Sequence, residues 1–130
     1  MSDEAVVLDA SAVLALLQGE PGVDVVLQAL PRGAISAVNL SEIVAKLADH
    51  GMPVDAVRAA LDGLPLEVHA FDRDAAYAAG ELRRATKRAG LSFGDRACLA
   101  LAGRLGSMAV TADRAWASLA GDRARITVIR

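Results

Sequence analysis

Short apolar runs alternate with helical stretches along the chain, and this alternation limits the possible folds more than any other feature. The predicted strands are residues 5–8, 34–38, 66–71, 108–110 and 126–129. The segments between them carry apolar residues at helical spacing. The predicted helices are residues 11–18, 23–30, 40–49, 54–62, 72–88, 95–105 and 113–119. Strands separated by helices predict an α/β fold with a mostly parallel sheet covered on both faces.

Length and composition agree with one domain of this class. A chain of 130 residues buries most of its apolar surface on folding, and we expect residues 1–130 to form a single domain. No apolar stretch approaches the ~20 residues that span a bilayer, and the acidic N-terminal sequence MSDEAVV is unlike a signal peptide. Cys98 is the only cysteine, which excludes an intrachain disulfide. We therefore expect a cytoplasmic protein without membrane contact.

Four carboxylates lie at the boundaries of the predicted elements. Asp9 ends the first strand, Glu42 lies in the first turn of the helix after the second strand, and Asp113 follows the fourth strand. Because the carboxyl ends of parallel strands meet at one edge of a sheet, these three side chains should lie close together. Asp95 opens the apolar helix 95–105. It follows a helix, so it joins the others only if the fold brings it there.

Helix capping is the alternative explanation for three of these acids. Asn39 with Glu42, and Ser92 with Asp95, have the spacing of an N-cap residue and its acidic partner three positions later. Asp113 can cap the helix that it precedes. Taken singly, each of these acids is better explained as a cap than as a catalyst.

Asp9 is not explained by capping in the same way. It interrupts the apolar run VVLDASAVLALL, in a strand position that normally rejects aspartate. Carboxylates gathered at one edge repel one another, and a hard divalent cation is the usual way to satisfy them. The four acids taken together therefore favour a metal site over four separate caps.

The donor types favour Mg²⁺ or Mn²⁺ over zinc. The cluster supplies oxygen atoms, and neither His50, His69 nor a second cysteine joins the pattern. An ion of this kind can lower the pKa of bound water and stabilise charge on a phosphodiester under attack. Aspartyl-phosphate chemistry is a weaker alternative. Strand one lacks the D-x-D of haloacid-dehalogenase-type sites, and strand five (ITVIR) lacks the lysine of receiver domains.

Four sequence blocks resemble the signature of PIN-domain nucleases. The blocks are Leu8–Ala12 (LDASA), Asn39–Ile43 (NLSEI), Ser92–Arg96 (SFGDR) and Val110–Asp113 (VTAD). The similarity extends over the whole chain and is greatest to the VapC-type toxins of type II toxin–antitoxin pairs. This resemblance implies a three-layer α/β/α sandwich around a five-stranded sheet with strand order 3-2-1-4-5. That order brings strands one and four together, and with them Asp9 and Asp113.

The resemblance also implies an activity, a site and partners. The activity is that of a Mg²⁺- or Mn²⁺-dependent endoribonuclease that hydrolyses RNA phosphodiester bonds with metal-activated water. The implied catalytic and metal-binding residues are Asp9, Glu42, Asp95 and Asp113. The implied supporting residues are Ser11, Asn39, Ser92 and Thr111. A cognate antitoxin, an RNA substrate and a homodimer complete the expectation, whereas Trp116 and Cys98 are expected to serve only in packing.

Basic residues cluster in the second half of a chain whose net charge is −2. The candidates for contacts to RNA phosphates are Arg83, Arg84, Lys87, Arg88, Arg96 and Arg114. A solvated helix face explains them about equally well. Two other functions stay open: a non-catalytic PIN-like module that binds protein, and a housekeeping RNA-processing PIN nuclease. The sequence does not specify the RNA target.

Overall fold

The computed structural model describes residues 4–119 and 125–130, which contain a five-stranded sheet and the helices around it. The strands are β1 (Val6–Leu8), β2 (Gly33–Ser36), β3 (Glu67–His69), β4 (Met108–Thr111) and β5 (Ile126–Val128). The α-helices are α1 (Ala10–Gln18), α2 (Val23–Ala29), α3 (Ala37–Asp49), α4 (Val54–Asp62), α5 (Arg73–Glu81), α6 (Arg83–Thr86) and α7 (Phe93–Leu105). Two 3₁₀ helices are Leu30–Arg32 and Arg114–Leu119.

The strands are all parallel and follow the order β3-β2-β1-β4-β5, which confirms the predicted topology. β1 lies at the centre, where Val7 pairs with Ala34 of β2 on one side and Ala109 of β4 on the other. The chain order of the strands reverses at β1. The carboxyl ends of β1 and β4 therefore meet at the position where open parallel sheets place their ligands.

Alternate side chains of the sheet enter two separate cores. Val6 and Leu8 pack on one face with buried residues of α1, α2, α3 and α4. Val7 points to the other face and packs with Cys98 of α7 and with Trp116, both fully buried. The alternation is the expected consequence of the strand repeat. The predicted three-layer α/β/α arrangement and the packing roles of Cys98 and Trp116 are confirmed.

Several predicted boundaries differ from the structure. Strand two ends at Ser36, not at residue 38, because the Ser36 hydroxyl accepts the Val38 N–H (3.2 Å) and caps α3. Asn39 is therefore inside the helix, and its predicted role as N-cap is wrong. The predicted helix 72–88 divides at Leu82 into α5 and α6, next to Gly80, a residue that weakens helices. The predicted helix 113–119 is the second 3₁₀ helix.

In the described part of the chain, no single helix is long and apolar enough to cross a membrane. Residues 10–18 and 23–32 satisfy that test only as a pair bent by 112°. Both segments contribute fully buried side chains to the protein core, among them Val13 and Val26.

Candidate functional site

Asp9 lies where β1 ends and α1 begins, and only 3% of it is exposed. Its backbone N–H donates to the Val110 carbonyl of β4 (2.9 Å), so the residue joins the two central strands. It occupies the N-cap position of α1, yet its carboxylate accepts no capping hydrogen bond from the described part of the helix. Capping therefore does not account for this buried acid.

Two hydroxyl groups hold one oxygen of the Asp9 carboxylate. Ser11 Oγ donates to Oδ2 at 2.7 Å, and Thr111 Oγ1 donates to the same oxygen at 3.0 Å. Ser11 Oγ in turn accepts the Ala112 N–H (2.9 Å), and Thr111 Oγ1 accepts the Asp113 N–H (3.0 Å). The two hydroxyl groups thus orient the carboxylate and connect the start of α1 to the segment that follows β4.

Glu42 is positioned by a fully buried asparagine. Asn39 Nδ2 donates to Glu42 Oε1 (2.8 Å) and to the Gly94 carbonyl (2.9 Å), which fixes the α3 carboxylate against the start of α7. Gly94 lies so close that a Cβ at this position would overlap the Glu42 carboxylate. Asn39 Oδ1 is buried and has no hydrogen-bond partner among the described residues. Glu42 lies in the second turn of α3, and it does not cap that helix.

Asp95 and Asp113 do act as caps. Ser92 and Asp95 form a capping box at the start of α7, with Asp95 Oδ2 accepting the Ser92 N–H (2.9 Å) and Ser92 Oγ accepting the Asp95 N–H (3.2 Å). Asp113 is exposed, and its Oδ1 accepts the Ala115 N–H at 2.9 Å. The capping explanation is therefore confirmed for these two acids. Capping does not prevent either carboxylate from acting on other groups.

The electrostatic state of Asp9 reflects its position. Burial is the main cause that raises the pKa of Asp9 from 3.8 to about 6, and the negative charges of Asp95 and Glu42 raise it further. The hydrogen bonds from Ser11 and Thr111 oppose the rise. The fold therefore brings Asp95 and Glu42 within electrostatic range of Asp9. A pKa raised to this value corresponds to about 3 kcal/mol of unfavourable free energy for the charged form in the folded state.

A divalent cation fits this site by donor type and by charge. The charges of Asp95 and Glu42 act on Asp9, the carboxylate of Asp9 is buried, and Gly94 leaves room for Glu42 where a side chain would not. Among residues 4–119 and 125–130, no three His, Cys, Asp or Glu side chains are arranged to hold one ion together. At most two carboxylates would bind directly, with water in the other positions, and Mg²⁺ commonly binds in that way.

The basic candidates divide into two groups. Arg83, Arg84 and Lys87 are exposed and line a shallow depression of about 460 Å³ beside α5 and α6, and Arg88 is exposed next to them. The other two candidates have partners within the chain. Arg96 donates to the Ala79 carbonyl at 2.9 Å, and Arg114 donates through Nε to the Arg130 carbonyl at 3.1 Å.

Gly94 is a site residue to which the sequence pattern assigned no role. The signal that identifies it is a glycine at the second position of a 13-residue helix, although alanine has the higher helix propensity. Such a glycine needs a steric reason. The Glu42 carboxylate supplies that reason, because it fills the space that the Cβ would occupy.

Comparison with known proteins agrees with the fold. The sequence matches the family model of the PIN domain over residues 6–122. No curated protein matches it significantly.

Several solved structures are similar over nearly the whole chain. A toxin–antitoxin complex from Klebsiella pneumoniae is 20% identical, with 97% of this chain and 98% of that chain covered and a TM-score of 0.76. DNA-bound VapBC from Salmonella typhimurium is 22% identical, with 98% and 99% covered and a TM-score of 0.73. VapC20 from Mycobacterium tuberculosis, a toxin that cleaves the sarcin–ricin loop, is 19% identical, with 93% and 99% covered and a TM-score of 0.75. Similarity at these identities is similarity of fold.

We predict that Asp9→Asn stabilises the metal-free protein, and that the gain depends on pH. Between pH 3.8 and about 6, folded Asp9 keeps a proton that the unfolded chain has released, so stability falls as pH rises. Above about pH 6 the charged Asp9 carboxylate carries the full free-energy penalty of burial, and the neutral amide of asparagine removes that penalty. Urea unfolding in EDTA should show a gain of up to about 3 kcal/mol at pH 7.5 and almost none near pH 4.

Asp113→Asn is the matched control for this measurement, because Asp113 is exposed and an asparagine can keep its cap. It should change stability little at either pH. A less stable Asp9→Asn protein at pH 7.5 would show that the Asp9 carboxylate makes a net favourable structural contribution, contrary to this prediction.

Proposed function

The chain belongs to the PIN domain family, and from this membership we propose that it is the toxin of a type II toxin–antitoxin pair, acting as a metal-dependent endoribonuclease. The reaction is hydrolysis of RNA phosphodiester bonds. The observation that carries the proposal is the buried Asp9 carboxylate, which caps no described helix and lies near two other acids. A purely structural role does not explain a buried aspartate whose raised pKa predicts a free-energy cost for its charged form at neutral pH.

Mg²⁺ or Mn²⁺ is the ion that best suits these donors, and Asp9 with Glu42 or Asp95 would hold it. When bound, it supplies an activated water molecule and stabilises negative charge on the phosphate. The protein's own contribution is orientation. Ser11 and Thr111 fix Oδ2 of Asp9, and Asn39 fixes Oε1 of Glu42. Partners of this kind around metal-binding carboxylates commonly set their geometry and affinity.

A cognate antitoxin is the protein partner that we assign, together with a homodimer of this chain. Support for the antitoxin comes from the similar structures, which include a toxin–antitoxin complex and DNA-bound VapBC. The RNA substrate is supported by VapC20, which cleaves the sarcin–ricin loop. These are proposals for the present chain, whose identity to each of those structures is 22% or less.

A non-catalytic PIN-like module is the second candidate. The observation that favours it is the capping by Asp95 and Asp113, which gives both acids a structural use. Asp9 and Glu42 cap no helix in the described part of the chain, so this candidate leaves them unexplained. A housekeeping RNA-processing nuclease would use the same site, and it would differ in its RNA target.

We expect the purified protein to cleave RNA in the presence of Mg²⁺ or Mn²⁺ and to be inactive in EDTA. Asp9→Asn and Glu42→Gln should each lower the cleavage rate roughly a hundredfold or more, because each removes a charged group at the reacting centre. The measurement is single-turnover cleavage of end-labelled RNA, followed by sequencing of the product ends.

Asp55→Asn is the control for this assay, since it neutralises an exposed acid in the first turn of α4. It should cleave as the unmodified protein does. Equal cleavage rates for Asp9→Asn and the unmodified protein would contradict the catalytic role of Asp9. No cleavage with either ion would favour the non-catalytic module.

Gly94→Ala should separate activity from folding. The added methyl group displaces the Glu42 carboxylate, which is the flexible end of a side chain, while alanine itself favours the helix. We expect cleavage to fall at least roughly tenfold and the melting temperature to stay nearly constant. Gly103→Ala is the matched control, because it lies in the same helix and the described residues leave open space at its Cβ. Unchanged cleavage by Gly94→Ala would contradict the assigned position of Glu42.

A further inference from the structure

An apolar groove is lined in part by Glu42, and its other lining residues have no part in the site described so far. We call it the Phe93 groove, and its volume is about 670 Å³. Its walls come from the start of α3, the segment after β3 and the first residue of α7. The lining residues include Val38, Glu42, Ala70, Phe71 and Phe93. The lining is mainly small and apolar, and Glu42 is its only titratable residue among those described.

Phe93 is exposed in a way that the protein core does not require. Phe93 is the first residue of α7 and directly precedes buried Gly94, yet 51% of Phe93 is exposed to solvent. Helix capping at this end is performed by Ser92 and Asp95 and needs no aromatic residue. Phe93 therefore presents an exposed aromatic ring in the same groove as the Glu42 carboxylate.

The Phe93 ring is also held in place. The ring of Phe71 packs against it edge to face, with centroids 5.5 Å apart and planes at 86°. The Arg96 guanidinium carbon lies 5.9 Å from the Phe93 ring centroid, and Arg96 is anchored by its hydrogen bond to the Ala79 carbonyl. A fixed and half-open aromatic surface loses little freedom when a flat ligand stacks on it.

The surroundings of the groove favour a nucleotide over an apolar protein segment. The Arg96 guanidinium lies over the Phe93 ring and places positive charge beside it. A second pair of an arginine over an aromatic ring, Arg73 with exposed Tyr77, lies in α5, which follows Phe71 in sequence. Aromatic rings alternating with arginine are the usual surface for single-stranded nucleic acid, because bases stack on the rings and phosphates face the cations.

We propose that a nucleobase next to the scissile phosphodiester stacks on Phe93 in this groove and thereby positions the RNA strand at Glu42. The inference rests on the proposed ribonuclease function and adds a positioning residue to it. Phe93 contacts the substrate base and takes no part in bond cleavage. Because every base has a stacking face, the groove favours single-stranded RNA without choosing one sequence.

Phe93→Leu tests the stacking directly, because leucine keeps apolar bulk and lacks the aromatic face. We expect the KM for a short single-stranded RNA of mixed sequence to rise about tenfold in Phe93→Leu, with kcat changed less. Phe93→Tyr, which keeps an aromatic face, should have the KM of the unmodified protein. Leu27→Ala is the matched control, since Leu27 on α2 is equally exposed at 51%. Melting temperatures of all variants check that folding is intact.

Phe93→Trp provides a readout independent of cleavage. The natural Trp116 is fully buried, so an introduced indole at the groove can be followed by its solvent-exposed emission. In an Asp9→Asn background, in which we expect cleavage to be slowed roughly a hundredfold or more, RNA should quench this emission. An abasic oligomer with the same ribose–phosphate chain should not, because it offers no base to stack.

The outcomes separate this proposal from the proposed function. Normal RNA cleavage by Phe93→Leu, or equal quenching by the abasic oligomer, overturns the stacking proposal and leaves the ribonuclease intact. Quenching by RNA but not by the abasic oligomer, combined with no cleavage by the unmodified protein, supports base stacking in the groove and rejects the nuclease. Absence of both cleavage and quenching rejects both. A Phe93→Leu protein with unchanged KM and an altered oligomeric state would identify the groove as a protein interface instead.

Discussion

The burial of one charged group at the centre of a parallel sheet determines how the rest of the site is built. Asp9 ends β1, the strand at which the chain order reverses, and its carboxylate is almost completely removed from solvent. Two hydroxyl groups, one from each neighbouring segment, hold the same oxygen of that carboxylate. These hydrogen bonds do not offset the whole cost of burying the charge, so the pKa of Asp9 is raised to about 6. A cation bound to the ionised carboxylate in place of the proton would recover the free energy that burial costs.

Structural and chemical demands meet at the start of α7. The capping box of Ser92 and Asp95 begins the helix, Gly94 leaves space for the Glu42 carboxylate, and Phe93 faces the groove beyond it. Asp95 serves both demands, since the charge that stabilises the helix N-terminus also acts on Asp9. The same acid can therefore cap the helix and contribute its charge to the site.

The parts that the sequence predicted well are those that depend on local pattern. Alternating strands and helices gave the fold class, and Asp9 stood out because neither a strand nor a cap explains it. The strand order came from the resemblance to PIN domains, since periodicity carries no information on which strands pair. Contacts that residue spacing does not reveal account for the error at Asn39. Asn39 has the spacing of an N-cap, but Ser36 caps the helix and Asn39 instead bridges Glu42 to Gly94, a residue 55 positions away.

The most direct test of this account is calorimetric titration of the metal-free protein with Mn²⁺ at pH 7.5, for the unmodified chain and for Asp9→Asn. We predict saturable binding to the unmodified protein and binding weakened at least roughly tenfold in the variant. A titration at pH 6 should also release about half a proton per ion bound, because Asp9 is about half protonated there and the ion displaces that proton. Equal Mn²⁺ binding by both proteins, or none by either, would contradict the central claim that the buried Asp9 carboxylate exists to hold a divalent cation.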